Sequence, residues 1–502
     1  MKSPVGKQLV VRALAAGLVA GGLLGGASSA LAAKDSLTLA MVLEPPHLDP
    51  TAGAAAAIDE VVYANIFEGL TRIDRDGAVQ PALAESWTVS DDGLTYTFKL
   101  HEGVTYHDGT AFDSGDVKFS FDRAMAEDST NAQKALFSPI ASVEAPDAAT
   151  VVITLKQPAG NFLFDLGWGD AVIVAPETAA ENKNHPVGTG PFVFERWVKG
   201  DRVEMVRYAN YWGTPAKLAK ATIKIIPDPA AATAALLAGD VDAFANFPAP
   251  EAMPQFESDP RFQVVIGSTE GETILAINNA RPPLDDIRVR RALAYAVDRQ
   301  AVVDGAMFGY GTPIGSHFAP HHPAYVDLTG TYAHDRGKAT ALMAEAGHAN
   351  GLTLTLKLPP PPYARRSGEV VAAQLAAIGI KTDIIPLEWA QWLEQVFKGR
   401  DYDLTVVSHT EPLDIGIYAR DDYYFNYQDA DFKALMAKFD ATLDEGARNA
   451  ILADAQKKLT EDAVNIFLFQ LAKHGVWNRD VVGLWENSPV QANDLTEVYW
   501  QE

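Results

Sequence analysis

Three histidines, His317, His321 and His322, fall inside six consecutive positions. Imidazole ligates zinc, nickel and haem iron, so this run is where the chain offers metal chemistry. Histidines clustered in a loop are more often surface groups, however, and neither a metal nor a resident cofactor is expected here. Asp421 and Asp422 are adjacent acids that in principle serve acid–base chemistry. In a loop such a pair reads as solvated. Gly188-Thr189-Gly190 resembles half of a dinucleotide loop, but Pro191 and a strand-like FVFERW follow at once. Without a helix N-terminus, phosphate binding lacks its physical basis. The chain has no cysteine, which removes thiol catalysis and sulfur-ligated zinc, and it has no HExxH, Walker-type loop or G-x-S-x-G elbow. The residues point to a protein that binds without converting, not to an enzyme.

Charge narrows the partners. Among 502 residues, 65 are acidic and 41 are Lys or Arg, a formal net charge of −24. Nucleic acid and anionic membrane surfaces want a basic face and are excluded on this count. A cationic ligand is compatible with it. Tyr418, Asp421, Tyr423, Tyr424 and Tyr427 place acids and aromatic rings together, a combination that suits cations through charge and ring faces.

The elements that must position these groups read as mixed α/β. Leu94, Tyr96, Phe98 and Leu100 alternate with Thr95, Thr97 and Lys99, which predicts a strand opened by the turn Asp91-Asp92-Gly93. Val151, Ile153 and Leu155 repeat the pattern after Pro146-Asp147. Val289, Ala292, Leu293, Ala296 and Val297 mark an apolar helical face, which Asp285 or Asp286 can cap. Val371, Leu375 and Ile378 mark a second helix, closed by Gly379, and Leu452, Ala455 and Leu459 a third. Asp298-Arg299 reads as a structural ion pair. At the start, Lys2, Lys7 and Arg12 flank a run of small and apolar residues from Ala13 to Ala27, and Ala30-Leu31-Ala32 has the small-x-small pattern of a cleavage site. That apolar core is short of the ~20 residues a membrane span needs. Residues 1–33 are expected to be a signal peptide. With no cysteine beside the cleavage site there is nothing to carry a lipid, so the mature protein is expected free in the periplasm, not as a lipoprotein.

Several short motifs follow one another along the mature chain. Glu68-Gly69-Leu70 precedes Pro81-Ala82-Leu83-Ala84-Glu85-Ser86-Trp87 and Gly103-Val104-Thr105-Tyr106-His107-Asp108-Gly109. Asp116-Val117-Lys118-Phe119-Ser120, Gly188-Thr189-Gly190-Pro191-Phe192, Asn210-Tyr211-Trp212-Gly213 and Gly239-Asp240-Val241-Asp242 come next. Asp286-Ile287-Arg288-Val289-Arg290-Arg291-Ala292-Leu293 and Ala296-Val297-Asp298-Arg299 close the series. In order and spacing this resembles the family 5 extracellular solute-binding proteins, the group of the dipeptide-, oligopeptide- and nickel-binding proteins of ABC importers. Each motif also has a local reading as a turn, a cap or core, and none of these residues is expected to touch a ligand.

The resemblance implies an α/β clamshell of the type II periplasmic binding protein kind, with two lobes and an inserted third domain. Lobe I would comprise residues 34–70, 188–275 and 476–502, the inserted domain 71–187, and lobe II 276–475. The ligand would lie between the lobes. It also implies site residues. The stretch from Tyr363 through Arg366, with Glu388-Trp389, is similar to dipeptide binders, in which the tryptophan matching Trp389 packs on the ligand; Trp392, three positions on, would share its helix face. Where peptide-binding relatives carry an aspartate for the peptide's α-ammonium, this chain has His409, Glu411 and Asp414, with Glu411 nearest and Asp414 second. Ala54, in a run of alanines, and Phe247 are expected on the lobe I side, and Tyr418 and Asp421 beyond Asp414. The arginine that holds the peptide carboxylate in dipeptide binders has no match; Pro359–Pro362 occupy its neighbourhood, and Arg365 or Arg366 are left to compensate. The expected ligand is a small peptide, with a cationic or opine-like amino-acid derivative second and a nickel- or haem-type ligand behind. The expected partner is an inner-membrane permease and ATPase complex, served by a monomer.

Overall fold

A computed structural model describes residues 34–53, 55–411, 413–442 and 444–501. The expected signal peptide and the candidate Ala54 lie outside the described residues. Ten strands form one path, in the order Ile380–Pro386, Leu352–Leu358, Leu404–His409, Phe262–Ile277, Ile466–Asn478, Ala243–Phe244, Ser36–Met41, Lys220–Ile225, Arg202–Arg207 and Phe192–Val198. The two long central strands, Phe262–Ile277 and Ile466–Asn478, pair antiparallel along their length with a register shift between Ser268 and Glu272. Beyond the shift, Glu272–Ile277 also pair with Leu404–His409. At the other end, Val476 and Trp477 pair with Ala243–Phe244. Each half of the sheet is therefore anchored to a different end of the same two strands, and the irregularity between them is where the ladder bends.

Alternation of side chains explains why one half is covered on both faces. Leu275 and Ile277 point into a core with Val289, Leu293, Val371 and Leu375, while Ile274 and Ala276 point into another with Trp392, Tyr402, Leu452 and Leu459. The predicted helical faces are these cores' outer walls: helices Ile287–Ala296, Pro362–Ala376 and Glu445–Glu461. Asp286 caps the first through the Arg288 amide at 2.8 Å. Pro362 stands at the first turn of the second, where a missing N–H costs nothing. Asp298 and Arg299 are not an ion pair as expected. Asp298 caps helix Arg299–Met307, and the buried Arg299 guanidinium donates to the Phe467 and Tyr332 carbonyls. At a helix start, orphan N–H groups compete for the carboxylate and win.

The strand expected from Leu94 to Leu100 is Thr95–Leu100, the second of a four-stranded antiparallel sheet that also holds Thr150–Leu155. Its Tyr96, Phe98 and Leu100 pack with Val117 and Phe121 of helix Ser114–Met125 in a core drawn from residues 70–175. A further core joins residues 37–67, 172–245 and 477–498.

Three of the motifs meet at one buried carboxylate. Glu68 accepts hydrogen bonds from Thr189 (2.8 Å), Tyr211 (2.8 Å) and Trp212 (2.9 Å). Gly188 and Gly190 run so close to the backbone of Asn65 and Ile66 that a Cβ at either would collide with it. The glycines of the half-dinucleotide pattern thus serve chain packing.

Candidate functional site

Strand Leu404–His409 ends where the two halves of the sheet face one another, and the chain turns through Leu413, at φ 66°, into the short helix Asp414–Ala419. This turn displays His409, Glu411 and Asp414. Asp414 is fully engaged by protein. Its Oδ1 lies 2.7 Å from His317 Nε2 and its Oδ2 3.5 Å from His409 Nδ1. Burial alone would raise its pKa, but the charge and hydrogen bonds of His317 and His409 outweigh burial and hold it at about 2. His409 is fixed in turn by Tyr424, whose hydroxyl is 2.9 Å from Nε2. On its other side, His317 Nδ1 lies 3.2 Å from Glu272 Oε1, just past the register shift. Burial, with Asp414 next, pushes Glu272 well above the usual carboxylate range.

Glu411 is in a different state. It accepts the Thr410 amide at 3.1 Å, and burial followed by the charge of Asp414 raises its pKa. Across the junction stand two more acids. Asp170, in the short helix Gly169–Ala171, is 5% exposed, and its Oδ1 has no hydrogen-bond partner. Its pKa rises to about 8, from burial first and then from Glu411. Asp59, on helix Ala56–Val62, lies directly against Gly169, where a Cβ would strike its carboxylate, and its Oδ1 is likewise unpaired. Burial, then Asp170 and Glu60, raise it strongly. Glu60 has a cation beside it. Burial pushes Glu60 up to about 7 while Lys473 opposes the rise. Lys473 itself falls to about 8 through burial and donates to the Trp485 carbonyl at 2.8 Å. Arg123 and Asp170 border a cavity of about 180 Å³, but the Arg123 guanidinium is committed to Asp49 and Thr51.

The walls add aromatic surface. Tyr363 accepts the Ser408 amide at 3.1 Å and feels the charge of Glu411. Trp389 is half-buried and meets Trp392 edge-on at 5.4 Å. Arg365 reaches the Leu387 carbonyl and Glu388 at 3.4 Å, while its buried Nε has no partner. The two sides are in contact around the site. Gln491 donates to the Thr410 carbonyl (3.0 Å) and hydroxyl (2.7 Å), Arg366 grips Glu251 through two bonds (3.0 and 3.1 Å), and Arg448 donates to Asn161 (2.7 Å). This is a closed arrangement.

A family model, that of the bacterial extracellular solute-binding proteins, family 5, matches residues 78–431. The chain belongs to this family. It is a solute-binding protein, and families of this kind bind and deliver, working with ABC transporters from the periplasm. The glutathione-binding protein GsiB of Salmonella typhi is 35% identical over 375 residues, 73% of this chain and 72% of that protein. The periplasmic DppA of Helicobacter pylori, solved with the peptide STSA, superposes with a TM-score of 0.87 at 24% identity, covering 94% of this chain and 99% of that one. AgaA of A. tumefaciens R10, solved with agropinic acid, gives 0.83 at 26% identity, covering 93% and 99%. The expected fold class, the type II periplasmic binding protein clamshell, is the one observed. No helix among the described residues is long and apolar enough to cross a membrane.

The structure gathers part of the candidate set. Glu411, Asp414, His409 and Tyr363 meet around this turn, while Trp389 is half-buried against Trp392. Trp392 does not line it freely: it is buried in the core and its indole N–H donates to Thr405 at 2.9 Å. Tyr418 is buried too, accepting from Asn465 at 3.1 Å. Phe247 packs between Phe244 and Phe256 inside a core. Asp421 is 78% exposed and pairs with Lys433, as a solvated loop acid does. Of the three histidines read as surface groups, His317 is 1% exposed, with Nε2 bonded to Asp414 and Nδ1 3.2 Å from Glu272 but without a hydrogen bond. His321 pairs with Glu270, and His322 stacks on Phe318 at 4.2 Å. They do not converge on one point. Two groups of described residues do bring three ligand atoms within 4.8 Å of one another, Glu272–His317–Asp414 and His409–Glu411–Asp414. Both share Asp414, whose oxygens already face imidazoles. Asp59, Asp170 and Glu272 carried no local signal in the sequence; only long-range packing gathers them.

Proposed function

We propose that this protein captures a small peptide in the periplasm and presents it, as a closed monomer, to the permease and ATPase of a peptide-type ABC importer, without altering it chemically. The mature chain follows a cleaved signal peptide, residues 1–33, and carries no lipid. Its lobes are residues 34–70, 188–275 and 476–502 on one side and 276–475 on the other, with 71–187 inserted. The observation that carries the ligand reading is the contrast between Glu411 and Asp414. Asp414 contacts both His317 and His409, whereas Glu411 makes no ion pair and accepts the Thr410 amide, with His409 within 4.8 Å. A buried carboxylate left unpaired costs of order several kcal/mol, and a peptide ammonium removes that cost. Glu411 is therefore the ammonium anchor. Trp389 and Tyr363 supply the apolar wall, and the free Nε of Arg365 supplies a carboxylate contact. That relatives bind glutathione and the peptide STSA supports the reading.

Calorimetry with a tripeptide and with its N-acetylated form tests it. The free amine is expected to bind at least tenfold more tightly, and Glu411→Gln to erase the difference. Equal affinity for both forms in the unaltered protein would exclude the assignment.

A further inference from the structure

Glu411 is one of three carboxylates at the junction that make no ion pair, although His409 comes within 4.8 Å of it. The other two, Asp59 and Asp170, come from the opposite side, where the Asp59 carboxylate lies against Gly169, the residue before Asp170. Glu272 shares with them an unpartnered oxygen, but His317 Nδ1 stands 3.2 Å from it. Asp414 has two histidines, Glu60 has Lys473, and Arg123 is taken by Asp49 and Thr51. Asp170 is buried to 5% exposure with Oδ1 unpartnered, and the Oδ1 of Asp59 is unpartnered as well. An unpaired buried polar atom is rare in a folded protein and marks a group awaiting a partner. The charge that acts most strongly on Asp170 is that of Glu411. The three are not among the groups of described residues whose ligand atoms all come within 4.8 Å, so one metal ion does not satisfy them together. Separated positive groups on one organic molecule do.

We propose that the cleft selects a ligand with two cationic groups, one held at Glu411 and the second against the Asp59–Asp170 pair. A peptide whose first residue is Lys or Arg has this chemistry, and so has an α,ω-diamine. The proposal deepens the peptide reading and rests on its placement of Glu411. Neighbouring buried carboxylates with no cation hold a proton between them, and an arriving ammonium displaces it, so binding of the dication releases a proton to the buffer.

The experiment is calorimetry on the mature protein with Lys-Ala-Ala, Ala-Ala-Ala and cadaverine, each in two buffers of different ionisation enthalpy, repeated on Asp170→Asn. The expected result is that Lys-Ala-Ala binds at least tenfold more tightly than Ala-Ala-Ala, with proton release, and that Asp170→Asn reduces the preference to about threefold or less. Ala-Ala-Ala binding as tightly as Lys-Ala-Ala overturns the proposal and leaves the peptide reading intact. Cadaverine binding where neither peptide binds overturns the peptide reading and supports the dication. Binding by none of the three overturns both. Should Asp170→Asn fail to fold, Asp59→Asn and the proton release of the unaltered protein decide the same question.

Discussion

His317 Nε2 lies 2.7 Å from Asp414 Oδ1, although 97 positions separate them in the chain. That contact commits Asp414 to the protein, and in the reading proposed above Glu411, three residues before it, is left to the ligand. The division of labour has opposite consequences for stability and affinity. Removing the Asp414 carboxylate strands two buried imidazoles, so Asp414→Ala is expected to cost about 3–5 kcal/mol of unfolding free energy. Glu411→Gln removes a buried charge without a cation and should leave the unfolding midpoint unchanged or higher while peptide affinity falls. Urea unfolding and calorimetry on both variants check this; a Glu411→Gln protein as destabilised as Asp414→Ala would contradict it.

The acids across the junction make the unliganded protein sensitive to alkali. Asp170 ordinarily titrates near 3.8 and is raised to about 8. The folded state keeps a proton that the unfolded chain has lost, so this contribution to stability is complete below about pH 4 and declines as pH rises toward 8. Asp59 and Glu272 act in the same direction. Asp414, depressed to about 2, acts oppositely and loses its contribution only as pH falls from about 4 toward 2. Thermal unfolding across this range should show the midpoint falling between pH 5 and 8, with a shallower slope in Asp170→Asn.

Trp389 and Trp392 meet edge-on, yet they should respond differently to truncation. Trp392 fills a core and bonds Thr405, so Trp392→Ala is expected to cost about 3–5 kcal/mol of stability. Trp389→Ala should change stability little and weaken ligand binding by of order 1–2 kcal/mol, about tenfold. Chemical denaturation and a binding isotherm on each variant separate the two roles. Equal losses of stability would refute the distinction.

The closure proposed above draws on contacts away from Glu411. Arg448 donates to Asn161 and to the Phe439 and Thr442 carbonyls, and stacks over the Phe439 ring at 3.9 Å. Arg366 and Glu251 are partly exposed, so their pair is worth only about 0.2–1 kcal/mol. Asn161→Ala with Arg366→Ala is expected to weaken peptide binding a few-fold by destabilising the closed state, with the bound enthalpy unchanged. Small-angle scattering should show a larger radius for the unliganded double variant. An unaltered radius and affinity would remove these contacts from the closure mechanism.

Much of this was legible along the chain. The helix over Val371 and Leu375 and the strand through Tyr96 and Phe98 follow from apolar spacing, because burial of one face is a local demand on local residues. The motif order identified the family, and the run from Ser408 to Asp414 is the turn on which the proposed anchor stands. Trp392, Tyr418 and Phe247 were misread for one reason: an aromatic residue that fills a core and one that lines a cleft have the same spacing. Asp421 looked like a site acid until its loop proved to face solvent.

The sequence by itself determined the elements, the family and the acidic character of the protein. Only the tertiary structure decided which acids remain unpaired. His317 reaches Asp414, Lys473 stands beside Glu60, and Gly169 brings Asp59 against Asp170. A carboxylate's state depends on what surrounds it within a few ångströms, and those neighbours come from distant parts of the chain.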